Sequence, residues 1–157
     1  MAGKNKKKKT PPGTIVNRKA RFNYQILESF EAGIMLKGSE VKSLRAGRAN
    51  LTDAYAITKG DEIFLLNLHI SPYDPASLQN HEPTRTRKLL LHRKEINKLL
   101  VKIKENGLTM IPTKVYFNSR GIAKCEIALG KGKAQHDKRE TIKKRESDRD
   151  MQRALKR

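Results

Sequence analysis

The sequence has no tryptophan, a single cysteine and few aromatic residues. Because aromatics make up only 5% of its 157 residues, an extended platform for stacking bases is not expected. The single thiol, Cys125, excludes a disulfide within the chain and fits a reducing compartment, so we expect a cytoplasmic protein. No run of about 18 apolar residues is present, and we therefore expect no membrane-spanning helix and no membrane partner.

Catalytic and metal-binding patterns are also missing. The string GKGK at 130–133 lacks the spaced glycines and the following Ser or Thr of a phosphate loop, so we expect a flexible basic hinge there. Cys125 has no CxxC partner, and the four histidines are scattered: His69, His81, His92 and His136. The sequence therefore predicts no catalytic residue, no metal site and no cofactor, and the protein is not expected to be an enzyme.

Positive charge is in large excess. Lysine and arginine together number 35 against 16 acidic residues, which gives a formal net charge of +19. Residues 1–24 carry eight basic and no acidic side chains, and residues 130–157 carry eleven basic and five acidic ones. A compact body with two cationic arms is typical of proteins that bind polyanions, since lysine and arginine displace counterions from phosphates.

Apolar residues are concentrated between the two arms, which predicts three regions. Residues 1–14 are expected to be a disordered basic arm, and residues 15–130 a folded domain. Residues 131–157 form a basic tail with good helix formers but few apolar side chains. We expect this tail to be disordered alone and to become helical when it meets a partner, because so little apolar surface cannot hold a helix on the body.

The body has the pattern of a mainly β fold with about six short strands and two helices. The region 21–36 alternates as strands do, with a turn expected at Ala32–Gly33, and 71–84 reads as a loop. The first helix is expected to begin near Ser39 as N-cap, and the second ends at Asn106–Gly107. Two hairpins are expected, 49–58 with 62–70 and 108–117 with 122–129. Such elements suit a small closed or nearly closed barrel.

Basic residues of the body occur in three clusters, which we consider candidates for RNA or DNA contacts. Each alone could be a solvated surface, but three of them between two cationic arms favour nucleic-acid binding. Arginine can grip phosphates with two parallel hydrogen bonds. Lys124 is expected on the outward side of its strand, toward solvent or a partner. The candidates are Arg18, Lys19 and Arg21 beside Asn17; Lys42, Arg45 and Arg48; Arg85, Arg87 and Lys88; and Lys131 and Lys133 in the tail.

Four strings resemble the small protein B (SmpB) family, the bacterial partners of transfer-messenger RNA. Their order and spacing match over roughly residues 15–139: NRKARFNY (17–24), FEAGIMLKGSEVKSLRAGRANL (30–51), PTRTRKLLL (83–91) and KGKAQHDKR (131–139). The resemblance implies a six-stranded barrel of the oligonucleotide-binding (OB) type with flanking helices and an unstructured tail. It also implies an adaptor that performs no chemistry. The adaptor would accompany the tRNA-like part of that RNA to stalled ribosomes, for rescue and tagging of the nascent chain, with elongation factor Tu joined indirectly through the RNA.

The resemblance also assigns positions to the two partners. Those expected to face the RNA are Asn17, Tyr24, Glu31, Leu91 and Lys124. The tail residues expected in the small-subunit decoding centre are His136, Asp137, Lys138 and Arg139, with the following helix along the message channel. The alternative is a ribosomal or ribosome-assembly protein with an OB-type barrel and a threading basic tail.

Overall fold

The structure is a computed structural model that describes residues 13–74, 78 and 80–155. Apart from Gly13 and Thr14, the N-terminal arm expected to be disordered lies outside these described residues. The elements in chain order are β1 (Ile15–Val16), α1 (Ala20–Asn23), β2 (Tyr24–Ile34), α2 (Gly38–Arg45), β3 (Ala49–Asn50), β4 (Tyr55–Lys59), β5 (Glu62–Leu66), β6 (His69–Ile70), β7 (Arg87–Leu90), α3 (Arg93–Asn106), β8 (Thr109–Phe117), β9 (Ala123–Gly132) and α4 (Gln135–Ala154).

Six antiparallel strands close into a barrel. Their order is β8-β4-β5-β7-β2-β9, and β9 pairs again with β8, so the ring has no free edge along this seam. The short strand β1 adds to β8, and β3 pairs with β6 outside the ring. This arrangement confirms the expected mainly β, OB-type barrel with flanking helices. Alternation at the start of β9 explains the barrel locally, since Ala123, Cys125 and Ile127 are buried while Lys124 and Glu126 between them are partly exposed.

The predicted turn at Ala32–Gly33 is wrong, because β2 continues through it as one long strand. Gly33 pairs with Leu90 on one side and with Lys124 on the other. A Cβ atom on Gly33 would lie 3.2 Å from the Cβ of Leu90, so glycine here permits the close approach of two strands. The sixth strand of the barrel is instead β7, where the sequence pattern predicted no strand.

The two helices predicted in the body correspond to α2 and α3, and different contacts hold them in place. The second predicted helix is confirmed as α3, which buries Ile96 and Leu99 and ends at Gly107 in the left-handed conformation, with φ of 59°. The expected N-cap of the first helix is wrong, because α2 begins at Gly38. The hydroxyl of Ser39 bonds instead to Nδ1 of buried His81, at 2.9 Å.

The predicted hinge at 130–133 is also wrong, because most of that segment belongs to the barrel. β9 extends to Gly132 and pairs there with the start of β2, and the N–H of Lys133 donates to the carbonyl of Asn23 at 2.9 Å. Gly130 is tightly enclosed, since an added Cβ would lie 3.0 Å from that of Tyr24. The expected domain boundary after residue 130 therefore falls inside a paired strand.

The tail after the barrel is the helix α4, which has no buried residue. Its first turn carries Asp137, and its contacts with the body are made near α1. That the tail is disordered without a partner stays a prediction. Within the described ranges, no helix is both long and apolar enough to cross a membrane.

Candidate nucleic-acid interface

A cleft of about 530 Å³ lies where β2, β9 and the start of α3 meet, and we call it the Gly33 cleft. It brings together three of the positions expected to face RNA, Glu31, Leu91 and Lys124, although these are far apart in sequence. The remaining lining residues are Gly33, Ile34, Leu90, His92, Glu95, Ile122 and Ala123. The cleft thus combines an acceptor, a cation and an apolar wall in one concave surface.

The apolar wall of the Gly33 cleft is open to solvent. Leu90 and Ile122 are each 50% exposed, which is unusual for large aliphatic side chains beside a well-packed barrel. At the floor of the cleft, Gly33 lets the side chain of Leu90 lie directly against the backbone of β2. Such a wall can cover the face of an unstacked base or a ribose ring, while the polar groups at its edge set the orientation.

Glu31 is held by Tyr116, whose hydroxyl donates a hydrogen bond to Oε2 of that carboxylate. Burial raises the pKa of Tyr116, and the hydrogen bond to Glu31 raises it further, so the phenol stays protonated at neutral pH. Oε1 of Glu31 accepts no hydrogen bond within the part of the chain that the structure describes. A fixed carboxylate with a free oxygen can accept a hydrogen bond from a base amino group or a 2′-hydroxyl.

Next to Glu31 lies a second carboxylate, Glu126, directly across from it in the sheet. Glu126 accepts hydrogen bonds from Nζ of Lys114 at 2.9 Å and from the hydroxyl of Thr113 at 2.8 Å. Burial would raise the pKa of Glu126, but these bonds outweigh it and hold the pKa below its usual range. Lys124 has no ion pair among the described residues, so its charge is available to a phosphate.

The first basic cluster is displayed by the turn between β1 and α1, and Asn17 has a different role from the expected one. Asn17 is only 5% exposed; its Nδ2 donates to the carbonyls of Leu51 and Pro112, at 3.2 and 3.0 Å. Its Oδ1 accepts the N–H of Ala20 at 3.2 Å. With its amide satisfied inside the protein, Asn17 supports the turn rather than contacting RNA through that group. The cations of the turn, Arg18, Lys19 and Arg21, are exposed.

Tyr24 lies beside this turn, as the first residue of β2. It is half-buried and lines a shallow pocket of about 380 Å³ together with Arg21 and Lys133. Nζ of Lys133 donates to the carbonyl of Arg21 at 3.0 Å, which ties the end of β9 to α1. Lys131, two residues before Lys133 and within β9, is exposed. A ring next to three cations suits a base with its phosphate.

The second basic cluster lies on α2 and just beyond its end, and its three cations are exposed. Nζ of Lys42 lies 5.2 Å from the ring centre of Tyr73, and the guanidinium of Arg45 lies 5.4 Å from that of Phe117. Arg48 pairs at 3.6 Å with the exposed Asp74. These contacts orient the cations without removing them from solvent, so all three remain candidates for phosphate contact.

The third basic cluster is largely internal, and the prediction that Arg87 binds RNA is wrong. Arg87 and Glu40 are both fully buried, with the Nε of Arg87 donating to Oε1 of Glu40 at 2.9 Å. The other nitrogens of Arg87 donate to the carbonyls of Leu68, Pro83 and Arg85, at 2.6, 3.1 and 2.9 Å. Every direction of the guanidinium fork is used inside the protein, which leaves no donor for a phosphate.

Arg85 and Lys88, the other basic residues of this cluster, also form ion pairs within the protein. Arg85 donates to both oxygens of Glu40, at 3.1 and 2.7 Å, and Lys88 pairs with Glu62. Burial would raise the pKa of Glu40, but the hydrogen bonds from Arg85 and from the N–H of Lys37 and the charge of Arg87 hold it below its usual range. Arg85 and Lys88 thus join α2 and β5 to β7. Glu40 is a residue that the sequence reasoning passed over, and its only signal was an acid in an otherwise basic string.

The tail residues expected at the decoding centre lie on the first turn of α4. His136, Asp137 and Arg139 are exposed and Lys138 is half-buried. Nδ1 of His136 lies 3.7 Å from Oε1 of Glu140, an exposed pair on successive turns of the helix. The structure brings none of these four residues to the Gly33 cleft, so the two groups of expected contacts occupy separate surfaces.

Comparisons with known proteins by family model, by sequence and by structure each match most of the chain. The family described as SmpB protein matches residues 14–157. A protein of Nostoc sp. named SsrA-binding protein is 60% identical over 141 residues, which cover 89% of this chain and 90% of that one. A protein of the same name from Symbiobacterium thermophilum is 58% identical over 139 residues, 88% of each chain. A solved structure described as "tmRNA-SmpB: a journey to the center of the bacterial ribosome" matches with a TM-score of 0.67 and 47% identity, covering 84% of this chain and 95% of that one.

Proposed function

The chain belongs to the SmpB family, and from this we propose that it is an RNA-binding adaptor of trans-translation. It binds the tRNA-like part of transfer-messenger RNA and brings that RNA to stalled ribosomes, where the nascent chain is tagged. The relatives named SsrA-binding protein and the similar chain from a tmRNA–SmpB structure support both partners. The adaptor carries out no reaction itself, meets elongation factor Tu only through the RNA, and works in the cytoplasm with the ribosomes.

The Gly33 cleft is the observation that supports RNA binding most directly. Glu31 offers a fixed acceptor, Lys124 a cation with no ion pair in the described part of the chain, and Leu91 part of an apolar surface, all within one cleft. An unstacked nucleotide needs these three kinds of contact for its base edge, its phosphate and its base face. The exposed cations near α1 and on α2 add contacts to the backbone of the same RNA.

The tail supplies the second half of the proposal. His136, Asp137, Lys138 and Arg139 act in the decoding centre of the small subunit, and the remainder of α4 lies along the message channel. This is supported by the helix itself, which has no buried residue and exposes every cation except the half-buried Lys138. A phosphate-lined channel provides the counter-charge that the barrel does not.

The test is the identity of the RNA that the protein carries. After crosslinking in cells and purification under denaturing conditions, sequencing should find one dominant RNA with a tRNA-like acceptor end. A double variant, Glu31→Gln with Lys124→Gln, should recover much less of it. The matched control is Glu105→Gln with Lys94→Gln on the exposed side of α3, which should recover as much as the parent protein. A random mixture of cellular RNA would contradict the proposal.

Stoichiometry separates the adaptor from a ribosomal protein. An adaptor of rescue is present on a small fraction of ribosomes, and this fraction rises when messages without stop codons are expressed. A copy number near one per ribosome, unchanged by stalling, would support the structural alternative instead.

A further inference from the structure

A second cleft lies between the barrel and the tail helix, and five of its nine lining residues are cationic. We call it the α1–α4 cleft; it has a volume of about 470 Å³. Arg18 and Arg21 enter it from the turn around α1, and Arg145 and Arg149 enter it from α4. The two arginines of α4 are four residues apart, so they lie on the same face of the helix.

The cleft holds too little negative charge for this many cations. Its one carboxylate, Glu126, already accepts hydrogen bonds from Lys114 and Thr113. None of the four arginines forms an ion pair within the described ranges. Guanidinium groups that face each other across an interface repel, so this arrangement opposes the docking of the tail on the body.

Apolar contact does not compensate for the repulsion. No residue of α4 is buried, and the guanidinium of Arg145 lies 5.6 Å from the ring centre of the half-buried Phe22. A single exposed cation–π contact is too weak to hold a helix of 20 residues that has no core of its own. Something with negative charge is therefore required if the tail is to stay in this position.

We propose that the α1–α4 cleft is a phosphate-binding site that docks the tail helix on the barrel only when it is occupied. Arginine forks from both sides of the cleft match the several oxygens of a phosphate, and one such group can bridge the body and the tail. The phosphate comes either from an RNA backbone or from a free anion. This goes beyond the proposed function, because it concerns the position of the tail before the ribosome is reached and does not depend on which RNA is bound.

Amide hydrogen exchange of α4 in the full chain tests the site. The probes are inorganic phosphate and an octamer of uridine, each compared with sodium chloride at equal ionic strength. With a probe at ten times its dissociation constant, amides of residues 142–151 should exchange about tenfold more slowly. Protection by both probes, or by the octamer alone, supports the site, and the second outcome assigns it to RNA backbone. Protection by neither probe, or equal protection by chloride, would overturn it.

Variants on the two sides of the cleft provide the sharper test. Arg145→Gln with Arg149→Gln should abolish the protection, whereas Lys143→Gln with Lys144→Gln removes the same charge from the same helix outside the cleft and should keep it. Arg18→Gln with Arg21→Gln should also abolish protection of α4, although these residues lie in the body. If the body variant left the tail protected, the bridging role would be wrong. The unfolding temperature of the barrel, which should be unchanged in all three, checks that the variants fold.

Discussion

The hydroxyl of Tyr116 donates a hydrogen bond to the carboxylate of Glu31, although the two residues lie on β8 and β2 with β9 between them. The phenol therefore reaches over an intervening strand to hold one oxygen of the acid in the Gly33 cleft. Lys124 lies on that intervening strand, directly opposite Tyr116. An acceptor, its positioning group and a cation are thus set by the register of three neighbouring strands.

Tyr116→Phe should weaken RNA binding without unfolding the barrel. The substitution removes the hydroxyl that orients Glu31 while keeping the ring. Because the site is partly exposed, we expect a loss of about 0.5–1.5 kcal/mol in RNA affinity, roughly twofold to twelvefold. Filter binding or fluorescence anisotropy with the tRNA-like RNA measures it. The control is Tyr55→Phe, an exposed tyrosine outside the Gly33 cleft, which should bind as the parent does. Equal affinities for the two variants would contradict the role of Tyr116.

Arg87→Met should destabilise the fold rather than act first on RNA binding. It leaves the carboxylate of Glu40 buried with one fewer partner, and breaking a buried ion pair costs about 3–5 kcal/mol. Urea denaturation followed by circular dichroism should show this loss. Lys42→Met, on the exposed side of α2, should change the free energy of unfolding by less than about 0.5 kcal/mol and act on RNA binding instead. A fully stable Arg87→Met protein with weakened RNA binding would show instead that Arg87 contacts RNA.

Lowering the pH should weaken the ion pair between Glu40 and Arg87, because Glu40 then becomes protonated. Its pKa is lowered from 4.5 in the folded protein, so its contribution to stability is fully present above about pH 4.5 and is lost as the pH falls through the folded value. The slope from one such group approaches about 1.4 kcal/mol per pH unit. Glu28 and Glu126, whose pKa values are also lowered, add to the decline.

The measurement is the free energy of unfolding from pH 7 down to pH 3 for the parent and for Glu40→Gln. The variant should be less stable at pH 7 but should have a flatter profile below pH 4.5, since it has no proton to gain at position 40. Parallel profiles would show that folding does not lower the pKa of Glu40.

The barrel and the Gly33 cleft were predictable to different degrees. The alternation at the start of β9 and the end of α3 at Asn106–Gly107 are local patterns, and both appear where the sequence predicts them. The outward position of Lys124 follows from the same alternation. That Glu31, Leu91 and Lys124 share one cleft depends on strand register, and here only the family resemblance pointed to them.

The predictions that were wrong share one physical cause, which is pairing between residues far apart in the chain. Arg87 looks like a surface cation until Glu40, 47 positions earlier, is placed beside it. β7 has only four residues, and its strand character comes from its neighbours β2 and β5 rather than from its own pattern. The segment at Gly130 has a loop-like composition, but β2 supplies its backbone partners.

Removal of the tail should separate RNA binding from rescue. A chain that ends at Lys133 keeps β9 complete and retains the hydrogen bond from Lys133 to Asn23, so the barrel and the Gly33 cleft should remain intact. We expect affinity for the tRNA-like RNA to fall by less than about tenfold, because the loss is confined to non-specific phosphate contacts. Tagging of nascent chains in a reconstituted translation system should be abolished.

His136→Ala in the full chain should reproduce part of this defect. The side chain is exposed on α4 and makes no contact that the barrel needs, so RNA affinity and stability should be unchanged. If its ring stacks on a base in the decoding centre, the loss is about 1–3 kcal/mol, and the tagging rate should fall by at least fivefold. Gln135→Ala, one position earlier on the same exposed turn, is the matched control and should tag at the parental rate. Loss of RNA affinity in the truncated chain, or normal tagging by His136→Ala, would show that barrel and tail do not divide the work in this way.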